Sequence, residues 1–349
     1  MDDFPDLVRA LGRALHREES KPWGEIWQDV QRYVQEHRRF PTHYFTRELY
    51  HRDITNPDDF VDQETIRRTD EARYRQPARW LFDDKYHFNL HLKRNEVAVP
   101  RVFGYSLGGF FYDLTRRLPL GTFEEFRVLV DSLLEEVEML FIKDLGGRMG
   151  SSITRVTRSS PPSDLREAFE TSGGLALIYE EGLQQHPDLD EVYPEALNTI
   201  RVINCMTDRG RVETISALMR FGSGGSYVDN SSQGGVFIGI DLESGRLRPP
   251  ARRFFAHGGG HFDRHPDTGF AFEGFAVPLL DEALALAHDA MLAIPSPLIG
   301  WDVGITRKGP VIVEGNAFAD LFGAELADGG FRHNEVFQRF VGSMDVDQS

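Results

Sequence analysis

The sequence predicts an α+β protein with clefts between its lobes. Three observations carry this expectation. Strand-like and helix-like stretches alternate along the chain without an internal repeat or a low-complexity tract. A length of 349 residues, 40% hydrophobic and 27% charged, suits two or three lobes better than one core. The stretch Gly300–Asn316, GWDVGITRKGPVIVEGN, reads as a hairpin with two chemically different faces.

Residues 1–75 read as helical. Leu7, Leu11 and Leu15 recur at helical spacing, and Trp23, Ile26, Trp27, Val30 and Val34 form a second stripe behind Pro22, which suits a first turn. His16, His37, His43 and His51 are scattered through this region and read as surface or packing residues. From Trp80 the pattern is mixed. Asp83–Phe103 predicts a helix followed by the extended VAVPRVFG. Thr122 and Glu125 form a capping box that opens an apolar helix through about Leu140. A short strand, Leu140–Lys143, leads into a glycine-rich turn, and Ser163–Ser172 is a helix ended by Gly173 and Gly174. Leu175–Tyr179 is a buried strand. Thr199–Met206 and Arg211–Met219 pair as a hairpin around Asp208, Arg209 and Gly210. A strand at Val236–Ile240 and a helix at Leu279–Leu292 precede the final hairpin. The expected partition is 1–75 (helical), 76–182 and 183–340.

Composition narrows the function classes. The net charge of −16 argues against nucleic-acid binding through a broad basic face. The only cysteine, Cys205, lies in the apolar VINCM and reads as a small core residue; it fits a reducing cytoplasm. No apolar run approaches membrane-spanning length, and MDDFPDLVRA lacks a signal-peptide layout, so a cytoplasmic location is expected.

The hairpin carries the most chemistry. A three-residue loop of Arg307, Lys308 and Gly309 sets Thr306 opposite Pro310 and Asp302 opposite Glu314. Alternation then puts Asp302, Glu314 and Asn316 on one face and Val303, Ile305, Val311 and Val313 on a core face. Two facing carboxylates repel unless a cation sits between them, and Asp, Glu and Asn oxygens around a hard cation suit Mg²⁺. The alternative is a solvated face on which the two acids tolerate each other.

Other segments hold weaker signals. Gly146-Gly147-Arg148-Met149-Gly150-Ser151-Ser152 follows Lys143 and reads as an anion nest beside a point charge, or as a plain surface turn. GxxxxGK[ST], GxGxxG and GxSxG are absent. The exit Glu180-Glu181-Gly182-Leu183 offers backbone groups to an adenine edge, or is an ordinary strand end. Arg201 in Asn198-Thr199-Ile200-Arg201, and Arg220 on the partner strand, suit phosphate or carboxylate oxygens, or a structural ion pair. His257, His261 and His265 are spaced by four, but intervening glycines disfavour a helical zinc face; a flexible loop with a substrate-contacting histidine is the expectation.

In this order the pieces resemble the ATP-grasp superfamily, and most of all its sugar-transfer-associated branch. The resemblance runs from about Trp80 to Asn334 and rests on DDKYHFNLHLKRNEVAVPRVFG, FIKDLGGRMGSS, IYEEGLQQHPDL, LNTIRV, HPDTGFAFEGFAVP and IGWDVGITRKGPVIVEGN. It implies ATP-grasp lobes, with ATP between two antiparallel-sheet layers, behind a helical N-terminal extension. It implies that Lys85 and Lys143 bind the α- and β-phosphates and that Gly147–Ser151, including Gly150, close over them. Glu181 and Leu183 would hold adenine. Glu180 competes with Asp188 and Asp190 for the ribose, and Asn198 belongs to the NTxR strand of the nucleotide site. Asp302, Glu314 and Asn316 would ligate Mg²⁺, and Arg201, with Arg220, would steady the transferred phosphoryl group. The implied activity is ADP-forming ligation of a small-molecule carboxylate to an amine. A kinase of the same fold and a non-catalytic nucleotide-binding protein are the alternatives. A homodimer is compatible with this reading.

Overall fold

The structure is a computed structural model. It describes residues 12, 20–52, 54–61, 65, 69, 78–146, 153–171, 175–207, 210–229, 234–254, 257–317, 319 and 321–346. The stripe at Leu7, Leu11 and Leu15 and the turn residues Gly147, Gly150 and Ser151 lie outside the described residues.

Two antiparallel sheets dominate. The smaller contains β1 (Val102–Leu107), β2 (Phe110–Tyr112), β3 (Arg117–Pro119), β4 (Met139–Asp144), β5 (Ile153–Thr157) and β6 (Leu177–Glu181), in the order β3-β2-β1-β6-β4-β5. The larger contains β7 (Thr199–Thr207), β8 (Arg211–Phe221), β9 (Val236–Asp241), β10 (Arg246–Arg252), β11 (His261–Phe262), β12 (Leu298–Thr306) and β13 (Gly309–Asn316), in the order β11-β10-β9-β8-β7-β12-β13.

Each sheet is covered by helices whose apolar stripes match it. In the small sheet, Phe126, Val130 and Leu134 of α5 (Phe123–Leu134) and Leu165 of α6 (Pro162–Thr171) pack on Leu140, Ile142 and Tyr179. The Thr122–Glu125 capping box forms as the sequence predicts. The helix it opens ends at Leu134, six residues short of expectation, because β4 begins at Met139 and takes Leu140 into the ladder.

One face of the large sheet packs on α8 (Leu280–Ala293) and on Phe88 and Leu92 of α4 (Lys85–Arg94), which follows the short α3 (Arg79–Phe82). Part of the other face packs on α1 (Trp23–His37), α2 (Thr42–Thr46), α9 (Leu321–Asp328) and α10 (Glu335–Val346). Ile26, Val30, Tyr44 and Leu49 share that core with Ile203 and Leu218. The predicted α1 stripe is therefore split. Ile26 and Val30 are buried, whereas Trp23 and Trp27 are half exposed. The short α7 (Pro187–Val192) joins the sheets. Among the described residues no helix is long and apolar enough to cross a membrane.

The β12–β13 hairpin differs from expectation at its tip. Thr306 faces Gly309, not Pro310, so the loop has two residues. Thr306 stabilises it by donating to Gly309 O at 2.8 Å and accepting from Lys308 N–H at 3.1 Å. A bulge between Asp302 and Val303, which leaves Val313 unpaired, absorbs the one-residue difference, and Asp302 faces Glu314 as predicted. On the core side Ile312 is fully buried with Val303 and Ile305, while Val311 and Val313 are only partly covered.

Candidate functional site

The part of the large-sheet face left open by the helices carries a charged row. Glu314 on β13, Asp302 on β12 and Arg201 on β7 stand in direct register across three strands. Arg220 on β8 pairs with Thr199, two residues along β7 and hence on the same face. Both Asp302 oxygens are engaged. Arg201 donates through Nε to Oδ1 and through Nη2 to Oδ2 at 3.2 Å. Arg220 Nη2 lies 3.0 Å from Oδ2, and Asn316 Nδ2 donates to the same oxygen at 3.3 Å.

Two glycines make this crowding possible. A Cβ at Gly300 would lie 3.1 Å from Arg201 Cδ, and one at Gly315 would lie 2.8 Å from the Phe88 ring. The first leaves room for the arginine arm. The second lets α4 approach from behind while Glu314 and Asn316 face the cleft.

The charges are unevenly compensated. Burial alone would raise Asp302, but Arg201 and Arg220 hold it below its ordinary value. Glu314 is raised, first by burial and then by Asp302, against the pull of Lys85, Lys143 and Arg201. Arg220 is raised despite its burial by Asp229, Asp302 and Glu314.

Lys85 reaches Glu314 from the start of α4, where the N-cap Asp84 accepts the His87 N–H at 3.0 Å. Lys143 arrives from β4 of the other sheet and forms an ion pair with Glu180. A cavity lined in part by Phe82, Lys85, Phe88, Asn89, Glu180 and Glu314 joins the two layers. The structure thus gathers Lys85, Lys143, Glu180, Arg201, Arg220, Asp302, Glu314 and Asn316 at one cleft.

Of the remaining predicted residues, Glu181 ends strand β6, and Leu183 and Asn198 lie in the connections between strands. The β6 strand runs to Glu181, two residues beyond the predicted end. The Glu181 N–H donates to Arg101 O at 2.9 Å and its carboxylate accepts the Arg101 N–H at 3.0 Å. Leu183 follows Gly182, where a Cβ would lie 2.5 Å from Met139. Asn198 is fully buried, and its amide is spent on Gln185, Tyr193 and Gly222. It anchors the start of β7 and holds Thr199 and Arg201 in place.

The histidine loop is no part of the cleft. The fully buried His265 donates through Nε2 to Gly222 O at 2.9 Å, accepts backbone N–H groups at Nδ1 and stacks on Tyr193. Its ring is a structural post, not the substrate contact expected from the sequence. His261 packs instead against His51, with ring planes tilted by 39° and centroids 3.6 Å apart. Among the described residues no three His, Cys, Asp or Glu side chains form a metal-holding group. Cys205 is buried, and burial followed by Glu213 pushes its thiol up to about 12, so it is an inert core residue.

Asp229, with Asn230, Gly234 and Gly235, marks in the sequence a loop that could approach a ligand, but its partners are seen only in the structure. It accepts from the N–H and hydroxyl of Thr199 and lies 3.4 Å from Arg220 Nη2. The loop sequence does not reveal the partner, because Thr199 is 30 residues away.

Residues 71–336 match the sugar-transfer-associated ATP-grasp family. The chain belongs to that family. Its two antiparallel sheets around a charged cleft are the ATP-grasp architecture. No curated protein matches the chain. Solved structures similar to it include the ATP-grasp ligase PsnB complexed with minimal precursor, at 15% identity and TM-score 0.43, covering 78% of this chain and 63% of that one. D-cycloserine synthetase DcsG is 14% identical with TM-score 0.42, covering 78% and 72%. D-alanine–D-alanine ligase from Bacillus anthracis is 11% identical with TM-score 0.44, covering 77% and 69%. The chain therefore spans less than two thirds of the PsnB chain.

Proposed function

We propose that this ATP-grasp protein is an ATP-dependent ligase that activates a small-molecule carboxylate as an acyl-phosphate and passes it to an amine or related nucleophile. The carrying observation is the convergence of Lys85, Lys143, Arg201 and Arg220, drawn from both sheets, on the facing pair Asp302 and Glu314. A cleft with four cations around two carboxylates suits a polyphosphate held with a divalent ion.

The donor set fits such an ion. Asp302, Glu314 and Asn316 present hard oxygens, and Glu314 has a raised carboxyl facing Asp302 with no guanidinium hydrogen-bonded to it among the described contacts. When bound there, Mg²⁺ would neutralise negative charge on the triphosphate. Lys85 and Lys143 would hold phosphate oxygens, Lys143 exchanging Glu180 for the nucleotide. The substrate carboxylate oxygen forms a bond to the γ-phosphorus as the β,γ-bridging bond breaks, and ADP departs. Arg201 and Arg220 would orient the transferred group. Amine attack then forms the amide, expels phosphate and releases a proton. No protein nucleophile is needed, in keeping with a site built of cations and carboxylates. The lone buried Cys205 accords with a cytoplasmic protein.

The test incubates protein, ATP and Mg²⁺ with panels of acids and amines and follows ADP by coupled assay and products by mass. An amide appearing with stoichiometric ADP supports the reading. A stable phosphorylated product formed without an amine would replace it with a kinase, and ATP binding without turnover across the panel with a non-catalytic role.

A further inference from the structure

Asp302 poses a problem that the proposed metal reading must solve. Its two oxygens already receive three guanidinium hydrogen bonds or close contacts and the Asn316 amide. Three of these donors crowd Oδ2, which has two lone pairs, while Oδ1 receives only Arg201 Nε, so Oδ2 has none left to offer a cation. An ion that engages both Asp302 oxygens therefore needs a donor to leave Oδ2.

The neighbouring contacts show which one. Arg201 has both of its described hydrogen bonds to Asp302. Arg220 is shared. Its Nη2 is 3.0 Å from Asp302 Oδ2, 2.9 Å from Thr199 Oγ1, and 3.4 and 3.5 Å from the two Asp229 oxygens. Asp229 is itself buried and tied to the Thr199 backbone and hydroxyl, so it is a stationary second seat. A movement of about half an ångström brings Arg220 into full hydrogen-bond distance of Asp229.

We propose that Asp229 is a positioning residue that takes Arg220 off Asp302 when a divalent cation binds, so that cation and nucleotide binding reseats a side chain carried by strand β8. This rests on the proposed nucleotide reading and adds to it the residue that sets the cation affinity. The ionic balance supports it. With the ion in place, Asp302 no longer needs two guanidinium groups, and Asp229, whose only described cation is Arg220, gains one closely.

The test is a double-mutant cycle read by binding, not by turnover. Calorimetry gives the magnesium concentration for half-maximal ATP binding in wild type, Asp229→Asn, Arg220→Gln and the double variant. The Asn carbonyl can still accept the Thr199 N–H; should Asp229→Asn fail to fold by circular dichroism, Asp229→Ser is read in the same cycle. Asp229→Asn is expected to raise the half-saturating magnesium at least fivefold in the wild-type background and less than twofold when Arg220 is already Gln. Equal shifts in both backgrounds, or no shift in wild type, overturn the role of Asp229 while leaving the nucleotide site intact. Absence of magnesium-dependent ATP binding in wild type itself would overturn the nucleotide reading, and this inference with it.

Discussion

Glu325 and Glu314 are both acidic residues in the field of an arginine, yet they serve opposite ends. Glu325 lies in α9 with no exposure and takes Arg47, the Val61 N–H and the Phe331 N–H. Burial raises it, and those donors pull it back. Arg47 comes from the N-terminal segment, so this pair ties residues 42–61 to the C-terminal helices. Glu314 faces another carboxylate, and the cations near it belong partly to the opposite sheet. A carboxylate saturated by fixed donors is a fastener. A carboxylate left facing its like is a vacancy for positive charge.

The widest separation between the two should appear in stability. Glu325→Ala leaves Arg47 buried with a charge it cannot shed, and should cost about 3–5 kcal/mol in urea unfolding. Glu314→Gln removes a repulsion and should change stability by less than about 1 kcal/mol, while slowing ATP-dependent product formation by about a hundredfold or more. Comparable destabilisation by both changes would erase the distinction.

Protonation sharpens it next. Because Glu314 is raised by burial and by Asp302, a cation that docks there must displace its proton. Magnesium-dependent ATP affinity should therefore fall as pH drops through the raised carboxyl, by up to about tenfold per pH unit, the limit for one proton. Calorimetry in buffers of different ionisation enthalpy should report proton release in wild type and none in Glu314→Gln.

The smallest effect belongs to Asp328, at the fastened end. Burial pushes it up to about 6 against the pull of Arg248. The native carboxyl binds its proton more tightly than the unfolded one. Its stabilising contribution is full below the ordinary carboxylate range and is lost as pH rises through about 6. Between pH 5 and pH 8 the wild type should lose about 1 kcal/mol relative to Asp328→Asn, read from urea midpoints.

Much of this was legible in the chain alone, wherever the governing interactions are local. The capping box at Thr122 and Glu125 spans one helical turn. Asp302 and Glu314 fall on one face because strand alternation and a tight turn dictate it over thirteen residues, and the order of the family's motifs needed no third dimension. The hairpin tip was misjudged because a bulge between Asp302 and Val303, at Val313 on the facing strand, trades one residue against the loop, and only packing of Ile312 into the core decides where that residue goes. What tertiary structure alone decided is who neutralises whom. Asp229 meets Thr199 across 30 residues and Arg201 meets Asp302 across 101. The His257–His265 spacing, regular in sequence, dissolves into unrelated contacts. Local chemistry sets which groups a strand can present, but Coulomb energy depends on distance in space, and long-range pairing of strands is what sets those distances.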